Sequence, residues 1–178
     1  NGPEDLTSIC LHLAANMLYL AEKGSMEDCM GLAKKSIIDG SALRKLAEMV
    51  AAQRGDESVI YDTERFDRAS FEYKVISEEE GFIVSMNTED CGIASAMLGA
   101  GRETKESEID YSAGIILHRK VGDYVTKGEC LATMYASDEE LFAGAARRYL
   151  SAITIDSDKP KQRPLIYARV ANGSVIKY

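Results

Sequence analysis

Chemistry could first be sought in the stretch Leu98-Gly99-Ala100-Gly101-Arg102, with Lys105 just beyond it. Glycines let a backbone approach an anion, and a guanidinium pairs with one in a fixed fork. A dinucleotide fingerprint, however, sets three glycines between a strand and a helix, and here two glycines follow a helical pattern. The spacing fits a helix C-cap and packing turn, with Arg102 and Lys105 as a minor anion contact the alternative. His12 and His118 are the only histidines, and neither has a Ser, Cys or Asp partner at a catalytic spacing. Glu89, Asp90, Glu108 and Asp110 could supply paired carboxylates for acid and base catalysis, yet nothing in the sequence brings two of them into a dry pocket, so they read as solvated. Cys10, Cys29, Cys91 and Cys130 lie far apart with no C-x-x-C and no His at ligand spacing. A zinc site has no support there, and reduced, partly buried thiols are the plain reading. The run Lys159-Pro160-Lys161-Gln162-Arg163 is a flexible basic loop, with closure over a neighbouring domain as the alternative.

The elements that would have to position such groups are legible from periodicity. Residues 3 to 54 read as three helices joined by Gly-Ser corners at Gly24-Ser25 and Gly40-Ser41 and closed by Gly55. In the first, Pro3 suits the first helical position, and Leu6, Cys10, Leu13, Met17 and Leu20 recur at helical steps as the face to be buried. Leu11 and Leu18 continue the apolar surface round the other side. Ser8, His12, Asn16 and Lys23 form a polar stripe toward water or a polar contact. Ser25 with Asp28 makes a near capping box for the second helix. Residues 56–70 carry charge and turn residues without a period and read as a linker.

From Phe71 the period becomes two. Phe71, Tyr73 and Val75 alternate with Glu72 and Lys74 in a strand with one wet face, and Phe82 to Met86 makes a second strand. Thr88 reads as the N-cap of a helix from Glu89 to Leu98, and Ser137 with Glu140 as a capping box for another. Strands follow over Ala152 to Ile155 and Pro164 to Val170. This order is an α+β pattern: a helical segment over 1–55, the linker 56–70 and an α+β domain over 71–178.

Net charge is −8 and the sequence pI about 4.9, which excludes nucleic-acid binding by a basic surface. Apolar runs are far short of the roughly 20 residues that cross a bilayer, and no basic-then-apolar signal opens the chain. The expectation is a cytoplasmic protein with no membrane partner. A start in helix-opening residues without Met suggests a piece of a longer protein.

The stretch Gly114 to Ala136 is the most specific. Val121-Gly122-Asp123-Tyr124-Val125-Thr126-Lys127-Gly128-Glu129-Cys130-Leu131 resembles the V-G-D-x-V-x-x-G-x-x-L half-motif of biotinyl and lipoyl carrier domains. A carrier needs an exposed Lys on a hairpin tip, usually in Met-Lys-Met or Asp-Lys. Lys127 lies in a different turn, so covalent carriage is not expected.

A second resemblance explains more of the chain. Asn1-Gly2-Pro3-Glu4-Asp5-Leu6-Thr7, Leu98-Gly99-Ala100-Gly101-Arg102, Ile109-Asp110 and Gly114-Ile115 resemble the C-terminal part of pyrimidine-nucleoside phosphorylases, thymidine phosphorylase among them. The resemblance runs from about Gly2 to Val170 and implies an α/β hammerhead related to the barrel-sandwich carriers. It also implies a parent enzyme that uses inorganic phosphate to split thymidine, uridine or deoxyuridine into base and pentose 1-phosphate. The phosphate segment K-x-S-x-G-G-V-x-D, the pyrimidine segment R-x-x-x-S-x-I-A-S-K-K-x-A and the metal-contacting Glu of that family all lie upstream of the part resembled here. No catalytic, substrate-binding or metal residue is therefore carried over to this sequence, and no cofactor is expected in it. The implied partners are the N-terminal remainder of the same chain and, in the parent, a second subunit. The alternatives are a stand-alone barrel-sandwich binding module and the same portion of an AMP phosphorylase.

Overall fold

The computed structural model describes residues 2–102, 104–161, 163–171 and 173–177. In chain order the helices are α1 (Glu4–Leu20), α2 (Met26–Ile38), α3 (Ser41–Ala52), α4 (Thr88–Ser95) and α5 (Phe142–Ser151). The strands are β1 (Phe71–Ile76), β2 (Gly81–Met86), β3 (Gly114–Leu117), β4 (Tyr124–Val125), β5 (Cys130–Ala136), β6 (Ile153–Asp156), β7 (Ala168–Ala171) and β8 (Ser174–Lys177). They form two compact units, Asn1–Arg65 with Arg163–Tyr178, and Phe66–Gln162.

In the helical unit, Pro3 stands at the N-cap of α1, just before the first helical position, and Glu4 and Asp5 place negative charge on the first turn. The helix ends at Leu20, earlier than Gly24, because Glu22 takes a positive φ of 56° and Lys23 donates its amide to the Leu18 carbonyl. The expected Ser25 and Asp28 pair opens α2 as a reciprocal capping box. Gly40 precedes α3 in the left-handed conformation, at φ 71°, where glycine carries no Cβ penalty.

The buried side of α1 is not the one that its periodicity suggested. Leu6, Cys10, Leu13, Met17 and Leu20 are exposed, Leu20 by 80%, while Leu11 and Leu18 are partly covered and Ala15 is fully buried. Apolar residues occupy two sides of this helix, and period alone cannot say which side a neighbour takes. The side with Ala15 meets α2, where Cys29 and Ala33 are also buried, so small residues let the two helices approach closely. Ala47 is the buried residue of α3.

The expected linker holds two 3-10 turns, Glu57–Ile60 and Thr63–Arg65. Asp56 and Asp62 accept the amides of Ser58 and Glu64, local bonds that order a stretch lacking any hydrophobic period. The C-terminal strand is also different from expectation. β7 covers Ala168–Ala171 rather than 164–170, and it pairs antiparallel with β8. This hairpin belongs to the helical unit and not to the α+β unit. Arg169 accounts for that placement: its Nε donates to Asn16 Oδ1 at 2.8 Å and its guanidinium lies 4.4 Å from the Tyr19 ring centroid. Asn16 thus makes a polar contact from the stripe expected to carry one.

The second unit is a mixed α+β body, as the hammerhead expectation required. Its antiparallel sheets run β1-β5-β3 and β4-β2-β6. Central strand β5 is covered along nearly its whole length, and Leu131, Ala132, Met134 and Ala136 join Val75, Ile83, Ala94, Leu98 and Val125 in one core. Against these pack Phe142, Ala145 and Tyr149 of α5. The Tyr149 ring is wholly buried, and its hydroxyl has no hydrogen-bond partner among the described residues.

Two expected caps moved by one residue. Asn87, not Thr88, caps α4 by accepting the amides of Glu89 and Asp90. Asp138, not Ser137, accepts the Glu140 amide and opens the 3-10 turn that leads into α5. In both places an Asx side chain lies beside the hydroxyl residue, and its carboxyl or amide oxygen reaches the free amides instead.

Candidate functional site

Ala96–Ala100 continues α4 as a π-type turn in which Gly99 has φ 101°. The Gly99 carbonyl accepts the Asp110 amide at 2.9 Å, and a Cβ on Gly99 would lie 3.3 Å from the Asp110 Cβ. The two glycines therefore close a packing turn, Gly99 against Asp110 and Gly101 against Ala96, the geometry of the first reading above. Arg102 and Lys105 are both exposed.

Asp110 is the best-satisfied carboxylate of this region. Its Oδ1 accepts the Ser112 hydroxyl at 2.6 Å and the Ser112 amide at 2.9 Å, and its Oδ2 accepts the Ser137 hydroxyl at 2.6 Å. The Ser112 hydroxyl first, then the Ser137 hydroxyl, hold its pKa down at about 2. An ionised carboxyl that accepts every available donor joins the π turn, the entry to β3 and the exit of β5. It has no proton to give near neutral pH, so it is a structural knot and not a general acid.

This arrangement makes a test by pH. Asp110 is depressed below its unfolded value near 4, so its contribution is present above about pH 4 and lost as pH falls toward 2. Asp110→Asn is expected to cost no more than about 1 kcal/mol near neutrality, because the group lies at the solvated surface. Thermal melts of both proteins between pH 7 and pH 2.5 should converge as the medium becomes acidic; a gap that stays constant would remove the carboxylate from this role.

The other candidates are dispersed over the fold. Asp90 Oδ1 is 2.6 Å from Arg148 Nη2, an ion pair between α4 and α5. His12 Nδ1 lies 2.8 Å from the Ser8 carbonyl on its own helix, and His118 Nε2 lies 2.8 Å from the Thr133 hydroxyl. Glu89 and Glu108 are exposed. Cys10 is exposed, Cys29 is buried, Cys91 and Cys130 are partly covered, and all four are free thiols. Burial pushes the Cys91 thiol up, with the Asp90 charge adding to it. Lys127 projects from the tight turn closed by Glu129, whose carboxylate accepts the Thr126 amide. Lys159 Nζ stands 5.9 Å from the Phe82 ring centroid, while Gln162 of the same basic run lies outside the described residues. Among the described residues no group of three or more His, Cys, Asp or Glu gathers as a metal site, and no helix is long and apolar enough to cross a membrane.

What periodicity assigned to the inside, and the structure leaves outside, is the row Leu6, Cys10, Leu13, Met17 and Leu20 along α1. Its N-terminal end lines an open groove of about 890 Å³ with Leu11, Met30 and Ile37, and with Lys34 at its margin. Ile38, Leu43, Leu46 and Met49 are exposed as well. Every wholly buried apolar residue of the three helices is Ala or Cys. Contiguous exposed apolar surface is characteristic of interaction surfaces, and Glu4, Ser8 and His12 also line this groove.

Residues 82–156 match the pyrimidine nucleoside phosphorylase C-terminal domain family. The chain is 38% identical over 171 residues to a pyrimidine-nucleoside phosphorylase of Geobacillus stearothermophilus, covering 96% of this chain and 39% of that protein. It is 37% identical over 155 residues to the pyrimidine-nucleoside phosphorylase of Staphylococcus aureus strain USA300, covering 86% of this chain and 36% of that protein. The chain thus spans less than two fifths of the length of the curated relatives it matches.

Proposed function

We infer the role of this chain from its family, for it belongs to the pyrimidine-nucleoside phosphorylases as their C-terminal portion. The chain serves an enzyme that transfers a pentose from a pyrimidine nucleoside to inorganic phosphate. In that reaction a phosphate oxygen bonds to the sugar C1′, the bond from C1′ to the base nitrogen breaks, and the base leaves with a proton. The substrates are thymidine, uridine and deoxyuridine, and phosphate is the co-substrate. The parent enzyme works as a homodimer in the cytoplasm.

Within it, the helical unit docks on the catalytic remainder of the same protein, and the α+β unit forms a wall of the cleft. The observation that carries this reading is the exposed row Leu6, Leu13, Met17 and Leu20 over a helix trio with only small residues buried. At roughly 25 cal/mol per Å², leaving several large side chains in water forfeits several kcal/mol that docking would recover. The chain alone is inactive.

The decisive assay follows release of thymine and uracil from thymidine and uridine in phosphate buffer, by this chain alone and by a full-length protein that carries it. Activity in the full-length protein and none in the chain is the expected pair of results. Phosphate-dependent turnover by the chain alone would overturn the reading and direct attention to the turn from Gly99 to Lys105.

A further inference from the structure

We propose that the free edge of β1 is a self-association surface, on which a second copy of this chain adds its own β1 antiparallel, joining the two three-stranded sheets into one. In the order β1-β5-β3 the first strand lies at an edge, and its ladder runs to β5 alone. Among the described residues no other backbone hydrogen bond reaches 71–76. Phe71, Glu72, Tyr73 and Lys74 are all exposed, Phe71 by 42% and Tyr73 by 46%. The pairing with β5 is regular from Phe71 to Val75 and shifts only between Val75 and Ile76. The edge contains no Pro, no Gly and no early bulge; of the devices that usually keep an edge from templating another strand it has only charge, and its two charged residues, Glu72 and Lys74, are of opposite sign.

The sequence of the edge selects its partner. Outward-facing amides and carbonyls belong to every second residue of a strand, so a twofold antiparallel pair can form only in alternate registers. Centred on Glu72, such a pair sets two carboxylates face to face. Centred on Lys74, it sets two ammonium groups face to face. Centred on Tyr73, it brings Glu72 of each copy opposite Lys74 of the other, Phe71 opposite Val75, and the two Tyr73 residues opposite each other at the symmetry axis, each ring stacked on Phe142 of its own chain with centroids 5.5 Å apart. Directly opposed unlike charges stabilise an antiparallel pair and like charges destabilise it. The alternation Phe-Glu-Tyr-Lys-Val is therefore self-complementary in one register, and that register is closed and isologous. The inference rests on the strand edge alone and is independent of the enzymatic reading.

Sedimentation of the 178-residue chain over a range of concentrations should show a monomer–dimer equilibrium. Glu72→Lys or Lys74→Glu alone sets like charges opposite each other twice and should weaken the dimer roughly tenfold. The double reversal restores the unlike pairs and should recover the original Kd, which a generally damaged strand would not do. A second readout is oxidation by diamide in a Cys10→Ser background. Opposed residues lie about 4.5–5.5 Å apart, within disulfide reach. Tyr73→Cys should cross-link to itself, whereas Glu72→Cys should cross-link only when mixed with Lys74→Cys. A chain that stays monomeric throughout, a dimer indifferent to both reversals, or a different cross-linking pattern overturns the proposal.

Discussion

Gly81→Ala is expected to destabilise the α+β unit by roughly 3 kcal/mol or more, a fall in Tm on the order of 10 °C. Gly81 has φ 151°, and a Cβ there would lie 2.6 Å from the Asp156 carbonyl oxygen and 2.9 Å from Ile155 Cγ2. The closer obstacle is backbone, so no side-chain rotation relieves it. Relief requires β6 to move, yet β6 is held to β2 by the pairs Phe82 with Asp156 and Ile83 with Ile155. Gly81 also faces Val125 of β4, so the residue sits in a central strand pinned from both sides. Gly128→Ala is the control. It also has a positive φ, at 88°, but no atom lies within 4 Å of the added methyl. Its cost should be limited to the left-handed penalty of about 1–2 kcal/mol. Urea unfolding followed by near-ultraviolet circular dichroism reads both, and equal losses would show that the contact with Asp156 is not what makes Gly81 necessary.

Leu98→Ala is expected to cost about 3 kcal/mol by the same measurement. Leu98 is wholly buried in the π turn, where it packs with Ala94 and the β5 core. The turn around it is fixed by the Gly99 carbonyl and the Asp110 amide, so the site has little freedom to collapse onto the cavity. Ile93→Ala, one turn earlier and 38% exposed, should cost less than half as much. A loss under about 1 kcal/mol at Leu98 would mean that the turn relaxes, and with it the claim that Asp110 and Gly99 hold it rigidly.

Much of this architecture was readable because its cause is local. The strand from Phe71, the Ser25 and Asp28 box, and the Gly122 and Gly128 turns each depend on a few neighbouring residues and stand where period or turn chemistry placed them, although of the expected dry face of that strand only Val75 is buried while Phe71 and Tyr73 stay exposed. The family was legible for a related reason: the Asn1 to Thr7, Leu98 to Arg102, Ile109-Asp110 and Gly114-Ile115 segments are specific in type and spacing. Caps were less certain by one residue, since Asn87 beside Thr88 and Asp138 beside Ser137 compete for the same amides.

What the sequence by itself determined, then, is most of the helices and strands as far as β6, their α+β order and the family. Tertiary structure alone decided which face of α1 is covered, because a helix apolar on two sides has no intrinsic inside, and the side that became buried is that of Ala15 rather than of Leu13 and Met17. It decided that Ala168–Ala171 joins the helical unit, through an Arg169 contact with residues some 150 positions earlier that no local pattern announces. It decided that Asp110 is a knot, by bringing Ser137 to it across 27 positions of chain. Each of these turns on contacts between residues distant in sequence, where the free energy depends on what else the chain places nearby.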